Sequence, residues 1–65
     1  MIIEMKRAAA EVQGGVATIA AALKITREAI YQWRTVPPRH VHAIVAVTDG
    51  AVTPTDLRPD LWPPA

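Results

Sequence analysis

Residues 16–33 read VATIAAALKITREAIYQW, and this stretch decides the fold. Val16, Ile19, Ala20 and Leu23 recur at spacings of three and four, which lines them along one face of a helix. Lys24-Ile25 then breaks the rhythm. Thr26 suits an N-cap, because its hydroxyl can accept a bond from a free amide of the next turn. A second helix is expected over about 27–34, with Ala29, Ile30 and Trp33 turned inward. Glu28 falls in its first turn, where the positive end of the helix dipole favours an acid. Ala20 is small where two helices must cross closely, Lys24 marks the bend, and Ile30 and Trp33 anchor the second helix. A helix–turn–helix unit needs that spacing. Ala20, Leu23, Ile30 and Trp33 are therefore the expected structural core of the motif. Arg27, Glu28, Tyr31 and Gln32 are its expected outward face.

Flanking segments supply supports. Ile2, Met5, Ala9 and Val12 predict a first helix over 2–13, stopped by Gly14-Gly15. Val36-Pro37-Pro38 ends the helix before it, since the residue preceding a proline avoids helical backbone. Proline also suits the first turn of the next helix, expected over 38–48 with Val41, Ile44 and Val45 buried. Asp49-Gly50 closes that helix. Thr53-Pro54-Thr55-Asp56 repeats the starting pattern, with a hydroxyl cap, a proline and an acid, and predicts one helical turn over 54–58. The expectation is an all-α, compact four- to five-helix bundle containing a helix–turn–helix. Its domain would span 1–58, with the motif at about 16–34, and residues 59–65 would form an extended, proline-rich C-terminal tail.

Composition narrows the function. A chain of 65 residues is one domain and buries only about 60% of the surface its unfolded form exposes. It has no cysteine and no serine, so disulfides, thiolate metal sites and the usual oxygen or sulfur nucleophiles are excluded, and no enzyme is expected. No apolar run approaches the roughly 18 residues of a membrane span, and charges interrupt the N-terminus, so neither a membrane segment nor a signal peptide is expected. The hydrophobic fraction of 51% includes twelve alanines and no phenylalanine, a mix that favours small, close-packed helices. Net charge is only +1, but it is unevenly spread. Residues 1–35 hold five basic and three acidic side chains, or +2, and residues 36–65 hold two and three, or −1. A polyanion should therefore dock on the first half.

The sequence also resembles a known group. The stretch AAALKITREAIYQW at 20–33, Val36-Pro37, the run from Asp49 to Thr53, and Asp56-Leu57-Arg58-Pro59-Asp60 together resemble the Cro-type, lambda repressor-like helix–turn–helix repressors of phages and prophages. They are similar in particular to the YdaS-type antitoxin branch. The resemblance covers about Val16 to Leu61. One departure stands out: the bend position, usually glycine in the group, is Lys24, and a left-handed lysine costs roughly a kcal/mol. The resemblance implies a cytoplasmic, nucleoid-associated, bacterial or phage-encoded transcription regulator that binds double-stranded DNA at a palindromic operator, often as a homodimer. A toxin partner is also implied.

Groove chemistry then assigns roles. Arg27 suits a guanine edge, Gln32 adenine, Glu28 the cytosine amino group, and Tyr31 a thymine methyl or a phosphate. Lys24, Thr26, Arg34 and Arg39 are expected phosphate contacts, as is Thr18 near the start of its helix. The rival reading makes Arg27 and Glu28 plain solvated charges and the unit a protein-interaction module, with the tail and Trp62 binding a toxin or another subunit. Trp62 itself could cover the core, join a dimer face or lie free. His40 and His42, two apart on a helix, point to nearly opposite sides, and nothing completes a metal site. Asp56 and Asp60 read as capping and solvated acids rather than a catalytic pair. No cofactor is expected.

Overall fold

Five helices form in the computed structural model, which describes residues 1–64. They are α1 (Ile3–Ala10), α2 (Val16–Leu23), α3 (Arg27–Gln32), α4 (Pro38–Val47) and α5 (Pro54–Leu57), and no strand occurs among the described residues. The all-helical bundle expected from the periodicity is what the chain builds. Its body measures 31 × 22 × 18 Å.

The helix ends obey local chemistry. Thr26 Oγ1 accepts from the Ala29 amide at 3.2 Å and so starts α3. Thr53 and Asp56 form a reciprocal capping box at α5, with the Thr53 amide donating to Asp56 Oδ2 at 2.9 Å and the Asp56 amide to Thr53 Oγ1 at 3.2 Å. Helices α2 and α4 end in the same way. At α2 the Ile25 amide donates to the Ala20 carbonyl and the Lys24 amide to that of Ala21; at α4 Gly50 donates to Val45 and Asp49 to Ala46. This paired closure needs a left-handed residue, and the chain uses Lys24 (φ 59°) and Asp49 (φ 55°) for it. The lysine at the bend is therefore left-handed, as the motif demands.

Three boundaries differ from the sequence expectation. Helix α1 stops at Ala10 rather than at 13, because the Glu11 and Val12 amides bond back only three residues, to Ala8 and Ala9. That tighter turn leads into Gly14 (φ 88°) and Gly15 (φ 59°, ψ −134°), conformations open to glycine. Helix α3 stops at Gln32, and Trp33 is already extended (φ −64°, ψ 133°), so Arg34 lies in the linker. The tail does not begin extended either. The Leu61 and Trp62 amides both donate to the Arg58 carbonyl, at 3.1 and 2.9 Å, and curl residues 58–62 into a turn. Only Pro63 and Pro64 run on without regular structure, and Ala65 lies outside the described residues.

Every element contributes to one core. Met5 and Ala8 come from α1, Ile19, Ala20 and Leu23 from α2, Ile30 from α3, Val41 and Ile44 from α4, and Leu57 from α5. Val36 and Val52 enter from linkers. On α1 the buried pair is Met5 and Ala8, with Ile2, Ala9 and Val12 packed at its margin. Trp33 and Trp62 also pack at the margin, each half-buried. Burying one such aliphatic side chain contributes about 1.5–3 kcal/mol, so a core of this size leaves little to spare. Thr48 is the one buried polar side chain among the described residues, and it is satisfied: its hydroxyl donates to the Val45 carbonyl and accepts from the Val52 amide.

Candidate nucleic-acid interface

Helix α3 has two unlike sides. Ile30 is fully buried and Ala29 half-buried, and this side packs on α2. Arg27 and Tyr31 are four residues apart, as are Glu28 and Gln32, so the four form one continuous outer strip. All four are exposed, and Tyr31 keeps 51% of its surface in water although it is large and aromatic. The strip thus offers a guanidinium, a carboxylate, a phenol and a carboxamide, the four chemistries that distinguish base edges.

The expected phosphate contacts are placed unequally. Lys24, Thr26, Arg34 and Arg39 do not share one setting: Lys24, Arg34 and Arg39 carry free cationic ends, and Thr26 caps a helix. Lys24 and Thr26 sit in the turn before α3, Arg34 just beyond it, and Arg39 in the first turn of α4. Thr26 uses an oxygen lone pair on Ala29, which leaves its proton free to donate. Thr18 differs. It is half-buried and its hydroxyl donates to the Gln13 carbonyl at 2.7 Å, so a phosphate, which only accepts, would have to break that bond. Thr18 closes the turn before α2 instead. Gly14 makes this possible, since a Cβ there would run into Thr18 Oγ1.

Among the described residues the one ion pair is Arg58–Asp60. Lys24, Arg27, Arg34 and Arg39 have no carboxylate in reach, although Glu28 stands next to Arg27 in sequence. Four unpaired cations spread along 24–39 make a positive border on a chain whose net charge is only +1. Behind that border His40 stacks on Trp33, with ring centroids 5.7 Å apart and planes 21° from parallel. Burial, and then the neighbouring Arg39 charge, hold the His40 imidazole below its usual range. The ring is therefore neutral near pH 7 and serves as a flat packing partner for Trp33. His42 leaves α4 elsewhere and meets Trp62 edge-on at 5.5 Å. That contact places Trp62 on the fold, as a cover over α4.

Arg58 carries no role in the sequence reading, yet it has the most connected side chain in the molecule. Its Nε and Nη2 donate to the two Asp60 carboxylate oxygens at 3.0 and 2.7 Å, and its Nη1 donates to the Val36 carbonyl at 2.8 Å. The paired guanidinium holds the Asp60 carboxyl below the usual carboxylate range. The only hint in the sequence is the Asp56-Leu57-Arg58-Pro59-Asp60 stretch itself, whose acids and base read separately as caps and surface charge.

Residues 6–65 match a family model described as bacterial toxin YdaS. No curated protein and no solved structure matches the chain. The match agrees with the branch that the 20–33 and 49–60 stretches resemble, and ties the chain to small toxin–antitoxin-related proteins. Its description names a toxin, where the sequence resemblance pointed to the antitoxin side. No helix among the described residues is long and apolar enough to cross a membrane.

Proposed function

The chain belongs to the family described as bacterial toxin YdaS, and from that premise we propose that it is a sequence-specific DNA-binding regulator of prophage or toxin–antitoxin type. Helix α3 enters the major groove. Arg27, Glu28, Tyr31 and Gln32 meet base edges, while Lys24, Thr26, Arg34 and Arg39 meet phosphates on either side. The observation that carries this reading is the outer strip of α3: four exposed polar side chains with no partner in the fold, bordered by cations with no carboxylate. Thr18 is left out, because its proton is committed. The working form is a homodimer on a palindromic operator, with half-sites about 34 Å apart, acting as a repressor in the cytoplasm at the nucleoid. No catalytic step and no cofactor enter the proposal.

Selection of bound duplexes from a random pool tests it. The wild-type chain should enrich one site, and Arg27→Ala combined with Gln32→Ala should abolish that preference while leaving the helical signal and unfolding midpoint in place. If the double variant still enriches the same site, α3 is not the reading element. A second reading, a protein-binding partner in a toxin–antitoxin pair, draws on Leu61, 48% exposed beside Trp62 and flanked by prolines. Fluorescence anisotropy with random duplex at about 50 mM salt separates the two. A DNA regulator binds there with steep salt dependence, and a protein-interaction module does not bind.

A further inference from the structure

The stretch from Asp56 to Asp60 takes no part in the outer strip of α3, yet it reaches the exit of that helix. Val36 is fully buried and is followed by Pro37 and Pro38, which carry no amide proton. A buried carbonyl in such a linker needs a donor from elsewhere in the fold. Arg58, twenty-two residues on, provides one through Nη1 at 2.8 Å. Asp60 grips the other edge of the same guanidinium with both oxygens, which fixes its plane. The side chain is only 14% exposed, so this is a brace set into the fold. Trp62, edge-on to His42, holds the turn that carries Asp60 against α4. On the other side of Val36, the Trp33–His40 stack closes the same linker. The path leaving α3 is thus pinned at two points, and one of them belongs to the C-terminal turn.

We propose that Arg58 is a positioning residue for α3: by holding the Val36 carbonyl it sets the orientation in which the outer strip of α3 is presented to a DNA duplex. The inference rests on the DNA-binding reading above. Arg58 does not touch the duplex. Its donors are spent on Val36 and Asp60, and its effect passes through the linker 33–37.

The test uses the full chain as wild type, Arg58→Ala, Arg58→Lys and Asp60→Asn, at a temperature where circular dichroism shows all of them equally folded. Affinity is measured for the duplex the wild type selects and for random duplex, each across a salt series. Arg58→Ala should weaken the selected duplex by about 2- to 30-fold, the range typical of residues that act through a neighbour. Random-duplex affinity and its salt slope should not move. Arg58→Lys should resemble Arg58→Ala, because an ammonium cannot span a carbonyl and two carboxylate oxygens in one plane. Asp60→Asn should fall between. Equal losses on both duplexes, with the salt slope reduced by about one, would make Arg58 a phosphate contact and overturn the proposal. Unchanged selected-duplex affinity, or full rescue by lysine, overturns it as well. Amide shifts of the DNA-free chain keep the two readings apart. If the wild type selects no duplex, the DNA reading fails, and shifts confined to residues 57–62 in Arg58→Ala would show that Arg58 does not hold α3. Shifts reaching Trp33–Val36 would show that it does.

Discussion

Two arginines of this chain live in opposite circumstances. Arg58 makes three hydrogen bonds, two of them to Asp60, and is nearly enclosed. Arg27 stands exposed on α3 with no carboxylate in reach, although Glu28 comes directly after it. The same contrast separates the regions around them. The C-terminal turn and capped α5 satisfy their charges internally, whereas the strip from Lys24 to Arg39 leaves its cations open. A side chain that serves the fold finds its partner in the fold. Cations without one, gathered on one surface, are what an external polyanion would use.

The sharpest way to break that contrast is to cut both sides of α3. Ile30→Ala should cost about 2–5 kcal/mol, since its side chain is fully buried. In a domain this small that lowers Tm by roughly 10 °C or more. Arg27→Ala, on the opposite side, should change stability by less than about 0.5 kcal/mol and show itself only in DNA binding. Comparable losses in a thermal melt would mean that the outer strip supports the fold after all.

Gly14→Ala comes next. The new Cβ meets Thr18 Oγ1 and the backbone is left-handed, so a loss of about 1–2 kcal/mol is expected from urea unfolding. If Thr18 holds the turn as the structure shows, Thr18→Val should lose part of the same energy, and the double variant should lose less than the sum. Lys24 sits on the border between the two regions, as a bend and as a cation. Lys24→Gly should relieve the left-handed strain, a gain of up to about 1 kcal/mol that the greater freedom of an unfolded glycine partly offsets. In DNA binding the same change should reduce the salt slope by about one. A variant both more stable and weaker on duplex would show one position serving fold and ligand at once.

The smallest expected effect is that of pH on His40. Its folded value lies below the ordinary one, so the unfolded chain takes up the proton more readily. The stabilisation is full above about pH 6.5, the unfolded value, and is lost as pH falls through the folded value. Asp56 and Asp60, also held low, contribute above the usual carboxylate range and fail only at more acid pH. Urea midpoints at pH 7.5 and 5.0 should therefore differ slightly in the wild type and less in His40→Asn. An equal difference in both would assign the pH effect elsewhere.

What can be read from the sequence is local. The Thr26 and Thr53 caps, the left-handed bend at Lys24 and the outward placement of Arg27, Glu28, Tyr31 and Gln32 all depend on neighbours within a turn or two. Arg58 is opaque because its partner carbonyl lies twenty-two residues back and belongs to backbone, which sequence patterns do not mark. Thr18 misleads for a related reason: a hydroxyl near a helix start can serve a ligand or the preceding turn, and Gly14 decides which. The tail looks extended because its prolines forbid helix, but prolines do not forbid a single turn, and Arg58 to Trp62 make one.

The shortness of α3 has a consequence in information. Six residues at 1.5 Å each give a helix about 9 Å long. Base pairs succeed one another every 3.4 Å or so, which lets one such helix inspect about three of them. A word of three letters from an alphabet of four turns up about once in 64 positions. Two copies of the chain read about six letters, still repeated roughly every four thousand, whereas a genome offers about a million competing sites or more. On the proposed function, a regulator with so small a vocabulary could not find one address by spelling alone. It would need clustered operators, or DNA whose shape is already uncommon, and its output would depend steeply on how many copies the cell holds.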